Sequence, residues 1–169
     1  YAFYTRGHDN VGNFEDAPAA ADAQTTIDTA APDAPQIVAL SGFTLGTSVN
    51  LHWNATNGAT EYRAQSAPAG SFATLGQDTG WIAANEFNFT GLSDGQVVFF
   101  RVQSRDATHN ASPFSTLAGT ILDATAPTSQ LAALPSLLNT PGLGLAWSAS
   151  DMTSGVAGVI GDARRAKPA

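Results

Sequence analysis

The sequence contains no cysteine, which excludes a disulfide scaffold, a cysteine-based zinc centre and a thiol enzyme. Basic residues are scarce: 7 Lys and Arg stand against 14 Asp and Glu, for a formal net charge of −7. A nucleic-acid binder needs a basic patch, and docking on an anionic membrane needs basic clusters, so neither class fits. Charge of either sign is sparse, at 12% of residues, about half the usual share. No long apolar run is present. Residues 34–60 and 124–150 carry no charge, but Gly, Pro, Asn, Ser and Thr interrupt both, so neither reads as a membrane span. No basic segment leads into an apolar one at the start, and the first residue is Tyr1, so we read no signal peptide in this window. Tyr1 already looks like mid-strand, and we expect an interior piece of a longer protein.

What is present is repetition. Phe3-Tyr4-Thr5-Arg6-Gly7-His8-Asp9-Asn10-Val11-Gly12-Asn13 and Phe100-Arg101-Val102-Gln103-Ser104-Arg105-Asp106-Ala107-Thr108-His109-Asn110 share Phe, Asp and Asn at one spacing. Ile27-Asp28-Thr29-Ala30-Ala31-Pro32 matches Leu122-Asp123-Ala124-Thr125-Ala126-Pro127, and Leu51-His52-Trp53-Asn54-Ala55 matches Leu145-Ala146-Trp147-Ser148-Ala149. The offsets are 97, 95 and 94, a drift that surface loops tolerate. We therefore expect the tail of one repeat over 1–30, a complete repeat over 31–123 and the front of a third over 124–169. Pro32, Pro35 and Pro127 mark the seams and keep them extended.

The complete repeat alternates with a period of two, as half-buried strands do. Val49, Leu51 and Trp53 share one face of a strand over 48–55, with Asn50, His52 and Asn54 on the other. Phe87 and Phe89 lie inward on 86–92, and Val98, Phe100 and Val102 on 96–106. Turn signals separate the runs at Asn57-Gly58, Gly70-Ser71, Asp78-Thr79-Gly80 and Asp94-Gly95. About seven short strands without an amphipathic helix make an all-β chain of antiparallel β-sandwiches, one complete and two partial. The expected core is Val38, Val49, Leu51, Trp53, Tyr62, Phe87, Phe89, Leu92, Val98, Phe100, Val102 and Ile121. A third strand of the last repeat is expected over Val156–Ile160. After it, residues 161–167 break the pattern with Arg164, Arg165 and Lys167, which we read as a non-native or truncated end.

Pro35, Trp53, Tyr62 and the run Leu92-Ser93-Asp94-Gly95-Gln96-Val97-Val98-Phe99-Phe100-Arg101-Val102-Gln103-Ser104-Arg105-Asp106 resemble the fibronectin type III and bacterial immunoglobulin-like families. The likeness covers the complete repeat and extends to the partial ones. The families usually place a corner tyrosine where Val98 stands; Tyr1 holds that place in the preceding repeat. The Asp9–Asn13 turn is similar to those of tandem domains in bacterial surface proteins. The resemblance implies tandem extracellular modules that neighbour one another in one chain.

Candidate chemistry is thin. His8, His52 and His109 lack metal-pair spacing, and no Gly-x-Ser-x-Gly elbow occurs. We expect no catalytic residue, no metal centre and no cofactor. Glu15, Asp16, Asp22, Asp28 and Asp33 crowd one stretch; carboxylates at a seam can bind Ca²⁺, but no Asp-x-Asp-x-Asp-Gly loop occurs and a solvated acidic linker is the plainer reading. Arg63, Arg101 and Arg105 share an outer face with Gln65 and Gln103, where pairing with Glu61 or Asp106 is expected. Phe99 points away from the core. Asn54-Ala55-Thr56, Asn88-Phe89-Thr90 and Asn110-Ala111-Ser112 match the glycosylation pattern by chance in a bacterial-looking composition. Trp81, after a glycine turn, is the ligand-binding candidate.

Two functions remain. The favoured one is a non-catalytic spacer or adhesion module of a secreted or cell-surface bacterial protein, with its own neighbouring repeats as partners. The alternative is an accessory carbohydrate- or protein-binding module of an extracellular hydrolase.

Overall fold

A computed structural model of the chain describes residues 1–134 and 144–161. Among the described residues there is no helix, and every regular element is a strand. In chain order these are β1 (Ala2–Phe3), β2 (Ala23–Gln24), β3 (Phe43–Leu45), β4 (Val49–His52), β5 (Glu61–Ala67), β6 (Glu86–Phe89), β7 (Val97–Arg105), β8 (Ala118–Asp123), β9 (Thr128–Leu131) and β10 (Trp147–Ser150).

The middle of the chain forms a two-layer sandwich. One sheet has the order β3-β8-β7-β5; the other pairs β4 with β6, and Ile37 bridges to Trp53 just past β4. The pairings β5/β7, β7/β8 and β4/β6 are antiparallel, whereas β3 runs parallel to β8. Alternation makes this geometry. Val49, Leu51, Trp53 and Phe89 face inward from one layer, and Tyr62, Ala64, Val98, Phe100, Val102 and Leu122 from the other. The Phe89 and Phe100 rings meet between the layers with centroids 4.9 Å apart, and Trp53 meets Tyr62 at 5.9 Å. Burying each large side chain contributes roughly 1.5–3 kcal/mol. The Tyr62 hydroxyl keeps a polar partner, accepting from the Thr56 N–H at 2.9 Å.

The larger sheet ends in β3 on one side, a strand of only three residues, and in β5 on the other. On β5, Tyr62 and Ile82 exchange backbone bonds, and Ser66 donates to Gln77. Free edges invite pairing with other chains; the β5 edge is shielded by residues 76–82, and the β3 edge is kept short.

Three expectations are corrected. Val38 is half exposed, and Ile37 packs on the core instead. The Ile37–Trp53 bridge fixes the phase, so its neighbour Val38 turns outward. Likewise Ile121 is only half-buried, because Thr120 and Leu122 take the inward positions of β8. Residues 156–160 form no strand: nothing among the described residues pairs with them, and a strand without a partner leaves its ladder groups unmet. The Arg164–Lys167 segment lies outside the described residues.

The flanking pieces form two small antiparallel pairs, β1/β2 and β9/β10. Their apolar side chains are open to solvent: Phe3 is 55% exposed and Trp147 58%, against 0% for Phe100 and 1% for Trp53. The two pieces meet the sandwich at opposite ends. The Asn110 amide, just past the end of β7, donates to the Asp28 carbonyl, and the Ser104 hydroxyl donates to the Asp33 carbonyl. Before the start of β7, the Asp94 carboxylate accepts from the Ala124 N–H at 2.8 Å and from the Thr125 hydroxyl. The nine residues of β7 separate these contacts by about 30 Å.

Candidate functional site

Side chains with chemical capacity gather on the outer face of β5 and β7. The register sets Glu61 opposite Arg105, Arg63 opposite Gln103 and Gln65 opposite Arg101. Each of these side chains points away from the core, so the face becomes a ladder of polar cross-strand pairs.

At one end stands Trp81. The Asp78 carboxylate accepts from the Gly80 N–H at 2.9 Å, and Gly80 takes φ +62°, a conformation open to glycine. Thr79 Oγ1 accepts from the Ala64 N–H, and Ile82 pairs with Tyr62. Anchored on both sides, Trp81 lies half-buried beneath Arg105, whose guanidinium carbon is 4.4 Å from the ring centroid. Arg105 is held in turn by Glu61 Oε2, which accepts from its Nε at 2.7 Å. The indole is thus a partly covered platform capped by a paired cation.

In the middle of the face Arg63 and Gln65 both donate to Asp78. The Arg63 hydrogen bonds, opposed by burial and aided by Gln65 and the Gly80 amide, hold the Asp78 carboxyl far below the usual carboxylate range. At the other end the Arg101 guanidinium meets two rings, 4.2 Å from the Phe72 centroid and 3.9 Å from Phe114, with its Nε donating to Gln65 Oε1 at 2.9 Å. The three arginines therefore share a face as expected, and Glu61 is one partner. Asp106 is not. Its Oδ1 accepts from the Thr108 and Asn110 N–H groups at 2.9 Å each, closing the turn after β7. Phe72 and Phe114 carry no sequence signal for this place, since both lie in irregular segments without periodicity. Phe99 turns outward and lies against Gly119, where a Cβ would meet its ring at 3.0 Å.

The histidines stay apart. His52 is half exposed and pairs across strands with Glu86 at 3.1 Å; His109 sits in a turn at φ +69°, and His8 in an exposed hairpin. Among the described residues no hydrogen bond joins a histidine to a hydroxyl, and no group of three His, Asp or Glu side chains could hold a metal ion. The acidic stretch is used locally: Glu15 accepts from the Gly7 N–H, Asp22 from Thr5, and Asp28 from the Ala30 N–H.

No protein-family model and no curated protein matches the chain. Solved structures do. A crystal structure of FN3tt is 21% identical with a TM-score of 0.45, covering 57% of this chain and 99% of that one. The Fn3-like protein from Clostridium thermocellum is 23% identical with a TM-score of 0.39, covering 58% and 95%. A β-1,2-glucanase from Parabacteroides distasonis is 15% identical with a TM-score of 0.47, covering 68% of this chain and 16% of the enzyme. The chain is an all-β protein built around a sandwich that is antiparallel except for the β3/β8 pair, and what it resembles among solved structures is largely fibronectin type III domains.

Proposed function

We propose that the chain is a non-catalytic spacer and adhesion module of a secreted or cell-surface bacterial protein, made of tandem sandwiches over 1–30, 31–123 and 124–169. The observation that carries this reading is the recurrence of seam geometry. Asp28 Oδ1 accepts from the Ala30 N–H at 3.0 Å, and Asp123 Oδ1 accepts from the Thr125 N–H at 3.2 Å. Each seam runs on through Pro, which limits its freedom. With flanks docked at opposite ends, successive units extend a chain rather than fold it back. Small-angle scattering of the full chain tests this. An elongated particle is expected; a compact one, with both flanks on one side of the sandwich, overturns it.

The half-buried Trp81 supports a second reading, an accessory module that binds carbohydrate or protein for an extracellular hydrolase. Pull-down of the full chain on insoluble polysaccharides tests it. Binding that Trp81→Ala abolishes with no change in Tm is the expected result, and binding that survives removes Trp81.

A further inference from the structure

The two flanks keep the registers of the sandwich. Phe3 lies opposite Ala23 as Phe100 lies opposite Ala118, and Ala2 opposite Gln24 as Phe99 opposite Gly119, so β1/β2 repeats β7/β8. Trp147 lies opposite Leu131 as Trp53 bridges to Ile37, so β9/β10 repeats the pairing of residue 37 with the end of β4. In the sandwich these two pairs belong to opposite layers. There Val98, Phe100 and Leu122 of one layer share a core with Ile37, Leu51 and Trp53 of the other. Their counterparts in the flanks are Tyr1, Phe3 and Ile27 on one side, and Leu131, Leu145 and Trp147 on the other. All six are apolar and all six are exposed, Tyr1 at 76%. Each flank thus carries one inward face without the face it packs against.

A single chain cannot join its own flanks, because β7 holds them about 30 Å apart at opposite ends of the sandwich. Two chains can. With roughly 100–200 Å² open on each, the six side chains offer about 700 Å² of apolar surface. A specific interface buries about 1,200–2,000 Å², a little over half of it apolar, so this supply meets the lower end of what is needed. A backbone match accompanies it. Residues 156–160 have no strand partner among the described residues, and β1 is paired only with β2. In the sandwich the strand after β4 is β5, and β5 lies on β7. Joining the flanks in the same way brings residues 156–160 against the free side of β1.

We propose that the protein associates head to tail with a second copy of itself, the β9/β10 flank of one copy closing over the β1/β2 flank of the next, with Leu145 and Trp147 in one core with Tyr1 and Phe3. The contact joins two different surfaces, so each pair of chains keeps one free flank at either end and can grow into a string. This rests on the tandem reading, which makes the flanks equivalent to parts of the sandwich.

Analytical ultracentrifugation of the full chain tests it. Species of two or more chains are expected at about 100 µM, dissociating on dilution. Phe3→Glu and Trp147→Glu each set a charge in the contact, and each variant alone should stay monomeric. Both positions are exposed in the single chain, so the Tm of the sandwich should not change. Mixed together, the two variants should form a dimer and nothing larger, because each keeps the flank that the other has lost. A parent chain that stays monomeric at this concentration overturns the proposal. So does association that survives either substitution, or a mixture that stays monomeric. A compact monomer in scattering would overturn the tandem reading as well, whereas an elongated chain that never associates overturns this inference alone.

Discussion

Asp9 and Asp106 close the same turn, 97 residues apart. Asp9 Oδ1 accepts from the Val11 and Asn13 N–H groups at 3.0 and 2.9 Å, and its Oδ2 accepts from the Asn13 amide at 2.7 Å. Asp106 makes the corresponding three bonds to Thr108 and Asn110, each at 2.9 Å. The fourth residue of both turns has positive φ, Gly12 at +90° and His109 at +69°. What differs is the setting: Asp106 is buried beside the sandwich, and Asp9 is exposed. Asp106→Ala should therefore lower the Tm of the chain, whereas Asp9→Ala should leave it unchanged. Equal effects in thermal unfolding would show that packing does not matter to this turn.

The same carboxylates predict an acid limit. The backbone bond from Ala124, then the Thr125 hydroxyl, holds the Asp94 carboxyl below the usual carboxylate range. For Asp106, burial pushes upward, but the Asn110 and Thr108 bonds outweigh it. Both groups hold a proton more weakly when folded. Their stabilisation is complete above the unfolded value and is lost as pH falls from there through the lower folded values. Equilibrium unfolding should show stability declining over that acid range. Asp94→Asn should remove part of the decline, and an unchanged profile would exclude the seam as its source.

Trp53 is 1% exposed, and among the described residues its indole N–H has no hydrogen-bond partner. The ring therefore stabilises by volume, not by its polar atom. Trp53→Ala should cost about 3–5 kcal/mol. Trp53→Phe should cost clearly less, because it also removes an unmet donor. Chemical denaturation of both variants measures the difference, and equal losses would contradict the account.

The phase of β8 gives another comparison. Leu122 is fully buried and Ile121 half-buried. Leu122→Ala should cost about 2–5 kcal/mol and Ile121→Ala distinctly less. The reverse order in urea unfolding would mean that β8 is shifted by one residue.

Much of the sandwich was legible because β4 and β7 alternate cleanly over several residues. Val49, Leu51 and Trp53, like Val98, Phe100 and Val102, could face only one way. Legibility failed where the alternation was short or doubly apolar. Ile37-Val38 and Ile121-Leu122 each offer two adjacent apolar residues, and only the bridge to Trp53 or the ladder with β7 selects one. β3 is three residues long, and each of its residues pairs with one 78 positions further on in β8, so local pattern carries no trace of it. The arginine face was visible as spacing on β5 and β7. The aromatic rings at Arg101 were not, because Phe72 and Phe114 come from loops. The matched motifs do carry matched bonds: Val38 donates to the His52 carbonyl as Ala132 does to that of Ala146, at 2.9 and 2.7 Å.

The parallel pair of β3 and β8 has a consequence under load. Tension that pulls the Pro35 side of the sandwich away from the Pro127 side drags these two strands past each other along a common axis. The bonds that join them, among them the Ile121 N–H to the Gly42 carbonyl at 3.0 Å and the Gly46 N–H to the Asp123 carbonyl at 2.7 Å, are then stressed in shear and together. An antiparallel pair pulled from its open end would instead unzip bond by bond. Resistance to stretching is thus concentrated in a three-residue strand, and rupture there would release the sandwich to unravel.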